Sequence, residues 1–128
     1  MNKDGLREIL YVDDEPDIRE IVQMALGLKP VLSVTTAESG IRALESMRTH
    51  KPDLVLLDVM MPNMDGPTTL QHMRSTPEMQ SIPVIFMTAK AMPQEVARFR
   101  SLVAAAVIAK PFDPMLLAEH VFAVWETL

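Results

Sequence analysis

Four carboxylates, Asp13, Asp14, Glu15 and Asp17, crowd within five residues of one another, directly after an apolar run at 9–12. A further acid, Asp58, closes the segment 53–57, apolar from Leu54 on, Thr88-Ala89 closes 83–87, and Lys110-Pro111 closes 107–109. Apolar segments that deliver carboxylates to one place are electrostatically uneasy. Two unit charges about 4 Å apart, at an effective dielectric of about 20, repel by about 4 kcal/mol. A divalent cation removes that conflict, and hard oxygen ligands with no cysteine or paired histidine favour Mg²⁺ over zinc. Mg²⁺ keeps waters and shares its sites with phosphate oxygens. The set then reads as phosphoryl chemistry: a metal, a nucleophilic carboxylate, a lysine and a hydroxyl donor. There is no Gly-x-x-x-x-Gly-Lys-Ser/Thr loop and no Gly-x-Gly-x-x-Gly, so nucleotide cradling is unsupported.

Residues so far apart in the chain can meet only if regular elements carry them. The segments 8–12, 31–36, 53–57, 83–87 and 107–109 are short, and most are rich in Val, Ile or Leu at consecutive positions. That pattern predicts strands buried on both faces, as in a parallel sheet covered by helices. Between them, apolar residues recur at helical spacing over 16–28, 39–50, 67–75, 94–103 and 114–128. The prolines agree: Pro30, Pro52 and Pro83 fall at strand entrances, while Pro16, Pro67, Pro93 and Pro114 fall at helix starts, where a missing N–H costs little. Five strand–helix units of about 25 residues predict an open α/β sheet with right-handed crossovers. In such sheets ligands gather beyond the carboxyl ends of the strands, where all the residues above fall.

Composition is compatible with this. The chain has 128 residues, 48% hydrophobic and 23% charged, the size and make-up of one domain, so a single domain over 1–128 is expected. With no cysteine, disulfide scaffolds, thiolate metal sites and cysteine catalysis are excluded. A net charge of −5 argues against direct binding to nucleic acid or anionic membranes. The first residues carry no apolar run of signal length, and nowhere do 18 apolar residues follow one another, so the cytoplasm is the expected address. His50, His72 and His120 are scattered without ligand spacing, and most of the 11 methionines are expected to fill the core. Glu15, Asp17 and Asp65 are expected to act as capping, turn or surface residues.

In this order and spacing, Asp13-Asp14, Asp58-Val-Met-Met-Pro-Asn-Met-Asp-Gly66, Thr88-Ala89 and Lys110-Pro111-Phe112 resemble the CheY-like receiver domain of two-component response regulators. The resemblance covers nearly the whole chain. It implies a flavodoxin-like (βα)5 fold, an open five-stranded parallel sheet of order 2-1-3-4-5 with helices on both faces. Asp58 would accept a phosphoryl group from a sensor histidine kinase or a histidine phosphotransfer protein. Asp14, Asp58 and the backbone carbonyl of Met60 would coordinate Mg²⁺, with Asp13 acting mainly through a bound water. Lys110 would pair with the carboxylate and then with the phosphoryl oxygens, Thr88 would donate its hydroxyl to them, and the Ala89 N–H would add a further donor. A cis Lys110–Pro111 bond is also implied. The output would be a changed surface, the face formed by helix four, strand five and helix five, offered to a downstream effector protein or to a second copy of the chain.

Several positions depart from the family pattern. Val107 stands three residues before Lys110, where the family usually places an aromatic ring, and Val103 replaces a glycine before the fifth strand. Met60 and Lys90 occupy the positions two after the acceptor and two after the threonine, which flank the path of attacking water. A bulky apolar Met60 and a Lys90 unable to orient water together imply slow autodephosphorylation. Two rivals stay open at this stage. One is a Mg²⁺-dependent phosphohydrolase with an aspartyl nucleophile, although such enzymes carry Asp-x-Asp where this chain has adjacent Asp13-Asp14. The other is a receiver-like module that binds partners without phosphorylation. The expected reading is a signalling receiver, not a metabolic enzyme.

Overall fold

The computed structural model describes residues 5–89, 93–101 and 104–128. Elements alternate strictly along the chain: β1 (Glu8–Val12), α1 (Pro16–Gly27), β2 (Ser33–Ala37), α2 (Gly40–Thr49), β3 (Leu54–Asp58), α3 (Gly66–Arg74), β4 (Val84–Thr88), α4 (Pro93–Ser101), β5 (Ala106–Ala109) and α5 (Leu117–Trp125). The five strands form one parallel sheet in the order β2-β1-β3-β4-β5, the flavodoxin-like arrangement expected from the sequence.

The consecutive apolar residues of the strands have a structural cause. Side chains alternate across a sheet, so a strand covered on both faces must be apolar at every position. In β1, Ile9 and Tyr11 enter the core shared with α1 and α5, through Val22, Ala25, Leu26, Leu117, Ala118 and Val121. Leu10 and Val12 enter the opposite core, against Ala43 and Met47 of α2, Leu70 and Met73 of α3, and Phe99 of α4. Strands β3 and β4 divide the same way, Leu54, Leu56, Ile85 and Met87 to one side and Val55, Leu57, Val84 and Phe86 to the other. Each such side chain contributes roughly 1.5–3 kcal/mol on burial.

Register sets the ends of the strands level. Val12 pairs with Leu57, Asp58 with Met87, and Thr88 with Ala109, so Asp13, Asp58, Thr88 and Lys110 leave the sheet together at its carboxyl edge. Most boundaries fall within one residue of the sequence expectation, but the start of β2 and both ends of α5, which closes at Trp125 rather than at 128, differ by more. Strand β2 begins at Ser33, because Leu32 N–H bonds back to Lys29 O and holds 29–32 in a turn. Helix α5 begins at Leu117 rather than Pro114, because the Asp113 side chain accepts from Met115 N–H at 2.9 Å and its carbonyl accepts from Leu116 N–H at 3.0 Å. The expected end of the fourth helix, at Val103, lies outside the described residues, as does Lys90. Among the described residues, no helix is long and apolar enough to cross a membrane.

Candidate functional site

The carboxyl edge of the sheet is built around Asp13. It follows β1 on the face of Tyr11, two residues earlier, and is 0% exposed. Its Oδ2 accepts from Tyr11 Oη–H at 2.6 Å and from Lys110 Nζ at 2.9 Å, and its Oδ1 accepts from Glu15 N–H at 3.0 Å. Its carbonyl accepts from the Arg19 guanidinium at 2.8 Å, which ties the loop to α1. Asp14, next in the chain, is exposed. Asp58, the last residue of β3, is 4% exposed, and its Oδ1 accepts from Lys110 Nζ at 3.3 Å. Carboxylate oxygens of Asp13, Asp14 and Asp58 lie within 4.8 Å of one another.

The electrostatics follow from that crowding. Burial, then the charge of Asp13, pushes the Asp58 carboxyl up from its ordinary 3.8 to about 6, and Lys110 pulls against them without prevailing. Burial alone would lower the Lys110 ammonium, yet the hydrogen bond and charge of Asp13, joined by Asp58, raise it overall. Burial, reinforced by the hydrogen bond to Asp13, drives the Tyr11 hydroxyl far above its usual range, so it stays an O–H donor. Three carboxylates therefore face one ammonium. This donor set, all hard oxygen and short of positive charge, suits a divalent cation.

The loop after β3 completes one wall. Val59 is buried, and the Met60 side chain, two residues past Asp58, is 67% exposed. Gly66 N–H returns to Val59 O at 2.9 Å, and a Cβ at Gly66 would come to 2.5 Å of Asp58 O, so only glycine permits this close approach. Asp65 accepts from Thr68 N–H at 2.9 Å and caps α3, the role expected of it. Thr88 is buried at the end of β4, and its carbonyl accepts from Lys110 N–H at 2.8 Å. Ala89 is exposed and lines a groove with Glu15, Lys110, Pro111 and Phe112. The Lys110–Pro111 bond is cis.

The structure thus brings the carboxylates of Asp13, Asp14 and Asp58 together and joins Asp13 and Asp58 through Lys110, with Thr88 and Ala89 at the neighbouring strand end and Met60 two residues past Asp58. Glu15 precedes α1 without a side-chain capping bond, and Asp17 sits in its first turn. His50 pairs with Glu8 at 2.7 Å, at the opposite end of the strands. Val107 is partly buried against the α2–α4 core, where Phe86 and Phe99 pack with ring centroids 5.0 Å apart. Tyr11 and Arg19 were absent from the sequence expectation. The spacing of Tyr11, two residues before Asp13 in a strand, puts it on the same face, but a core tyrosine would show the same pattern.

Comparison with known proteins agrees with this fold. The family model of the response regulator receiver domain matches residues 9–122. The response regulator Rre1 of Synechocystis sp. is 39% identical over 106 residues, covering 83% of this chain and 46% of its own length. The phosphate regulon transcriptional regulatory protein PhoB of Escherichia coli is 35% identical over 121 residues, covering 92% of this chain and 51% of its own. The chain spans about half the length of these curated relatives. The chemotaxis protein CheY4 of Vibrio cholerae superposes with a TM-score of 0.85 at 27% identity, over 94% of this chain and 99% of that one. From its motifs, its sheet order and these matches, the chain belongs to the response regulator receiver domain family.

Proposed function

We propose that this chain is a phosphorylation-controlled signalling receiver in which Asp58 accepts a phosphoryl group, with Mg²⁺, from a phosphohistidine of a sensor kinase or phosphotransfer protein. The observation that carries this reading is the meeting of Asp58 with Asp13, Asp14 and Lys110 at the carboxyl edge of the sheet. In the transfer, a carboxylate oxygen of Asp58 forms the new O–P bond while the P–N bond of the donor breaks and its electron pair returns to the imidazole. Aspartate at neutral pH needs no base to become a nucleophile, so positioning and charge neutralisation are what the site supplies.

Asp13, Asp14, Asp58 and the Met60 carbonyl would hold the Mg²⁺, which when bound neutralises the charge that develops on the phosphoryl oxygens. Lys110 lies close enough to both Asp13 and Asp58 to turn from the carboxylates to the phosphoryl oxygens. Thr88 and the Ala89 N–H supply donors from the next strand end. The product is a new surface, presented by α4, β5 and α5 to an effector protein or domain or to a second copy, rather than a released metabolite. The family is a signalling module, and the regulatory role of the longer relatives supports this assignment.

Incubation with acetyl phosphate and Mg²⁺, followed by intact mass, tests the reading. One stable phosphoryl per chain is expected, lost in Asp58→Asn and on chelation of Mg²⁺. Continuous turnover of phosphate esters would instead support an aspartyl phosphohydrolase, and no mass gain would support a module that binds without phosphorylation.

A further inference from the structure

We propose that Tyr11 is a positioning residue of this site, acting through Asp13: its buried hydroxyl holds the Asp13 carboxylate in the orientation that receives the divalent cation. The inference rests on the reading of Asp13, Asp14 and Asp58 as the cation's carboxylates, and it adds a residue from outside that set.

Tyr11 sits in the middle of the sheet, 0% exposed, in register between Thr36 of β2 and Leu56 of β3. A phenylalanine would fill the same place in the core with no hydroxyl to satisfy. A buried tyrosine hydroxyl must find a partner. Here the partner is a carboxylate oxygen at 2.6 Å, the same Oδ2 that takes Lys110. Alternation along a strand places residues i and i+2 on one face, about 7 Å apart, which is the reach of a tyrosine side chain.

The three donors that hold Asp13 are not equivalent. Lys110 is shared with Asp58, and in the proposed transfer it turns toward the phosphoryl oxygens. The Glu15 amide holds the other oxygen, Oδ1. Tyr11 is the donor to Oδ2 that has no second task in the site. With its ring fixed by the sheet, it keeps the carboxylate from rotating, so binding a cation carries less ordering cost. Partners of this kind, one bond removed from the metal, are typically worth 10–100-fold in affinity or activity, roughly.

Calorimetric titration of the whole chain with MgCl₂ tests this directly. Tyr11→Phe is expected to weaken Mg²⁺ binding by about tenfold. In an Asp13→Asn background the same substitution is expected to change it by less than about twofold, because the effect runs through the carboxylate. A merely structural role would weaken binding equally in both backgrounds, and that result overturns the proposal, as does unchanged or tighter binding in Tyr11→Phe alone. A second readout needs no substitution at residue 11. Tyr11 is the only tyrosine of the chain, so 3-fluorotyrosine labels that position alone. Its ¹⁹F resonance is expected to move on Mg²⁺ addition in the wild type and to stay fixed in Asp13→Asn. A resonance insensitive to Mg²⁺ in a chain that binds it overturns the proposal, whether or not Tyr11→Phe folds. Failure of the wild type to bind Mg²⁺ overturns the proposal together with the cation reading. Failure to take a phosphoryl group, with the Tyr11 dependence of Mg²⁺ binding intact, overturns only the phosphoacceptor reading.

Discussion

Without a divalent cation, Asp58 holds its charge at a cost, since burial and the neighbouring Asp13 push its carboxyl from the ordinary 3.8 to about 6. Between those values the folded chain binds a proton that the unfolded chain has released. The stability this brings is complete below about pH 3.8 and is lost as pH rises through about 6. The loss is on the order of 3 kcal/mol. In metal-free urea denaturation, wild type is therefore expected to lose stability from pH 4 to pH 7 in a way that Asp58→Asn does not, leaving the variant the more stable at neutral pH. Equal pH dependence of the two chains would contradict the electrostatic account. Added Mg²⁺ should stabilise the wild type at pH 7 far more than the variant. Met60 makes a kinetic statement at the same scale. Its exposed apolar side chain, two residues past the acceptor, gives water nothing to bond to. Met60→Asn is expected to shorten the lifetime of the phosphorylated chain by several-fold in a decay time course, and an unchanged lifetime would remove Met60 from the path of the water.

At the scale of elements, the loop from β3 to α3 matters most, because it carries the acceptor at one end and the cap of α3 at the other. Gly66 lets that loop fold back against Asp58 and Val59. In Gly66→Ala, the new methyl would displace the Asp58 carbonyl, so a destabilisation of roughly 1–3 kcal/mol is expected. Because the displaced backbone bears the acceptor, the rate of phosphorylation by acetyl phosphate should fall as well, measured at a temperature where the variant is folded. Strand and helix positions were legible in the sequence wherever burial dictated them. In β1, β3 and β4 both faces are covered, so the chain has to be apolar throughout. The start of α5 was not legible, because Asp113 bonds to the backbone ahead of it and delays the helix past a proline that would have suited its first turn. The start of β2 was hidden for a similar reason, as a local turn captures Leu32.

Across the whole molecule, the opening charge imbalance has a location. Asp13, Asp14, Glu15, Asp17 and Asp58 account for −5, and the remaining acids equal the Lys and Arg in number. The acidity therefore belongs to one edge of the sheet. Asp13, Asp58, Thr88 and Lys110 could be placed there from the sequence because each ends an apolar run and parallel strands end together. Tyr11 could not be singled out, since a core tyrosine and a site tyrosine have the same sequence pattern, and only the 2.6 Å bond to Asp13 separates them. The central claim concerns one atom group, the Asp58 carboxylate, and one measurement reaches it most directly. After phosphorylation by acetyl phosphate with Mg²⁺, borohydride reduces an aspartyl phosphate to homoserine, which peptide mass spectrometry locates. Homoserine at position 58 alone is the expected result. A phosphoryl group retained on another residue, or none at all, would contradict the account.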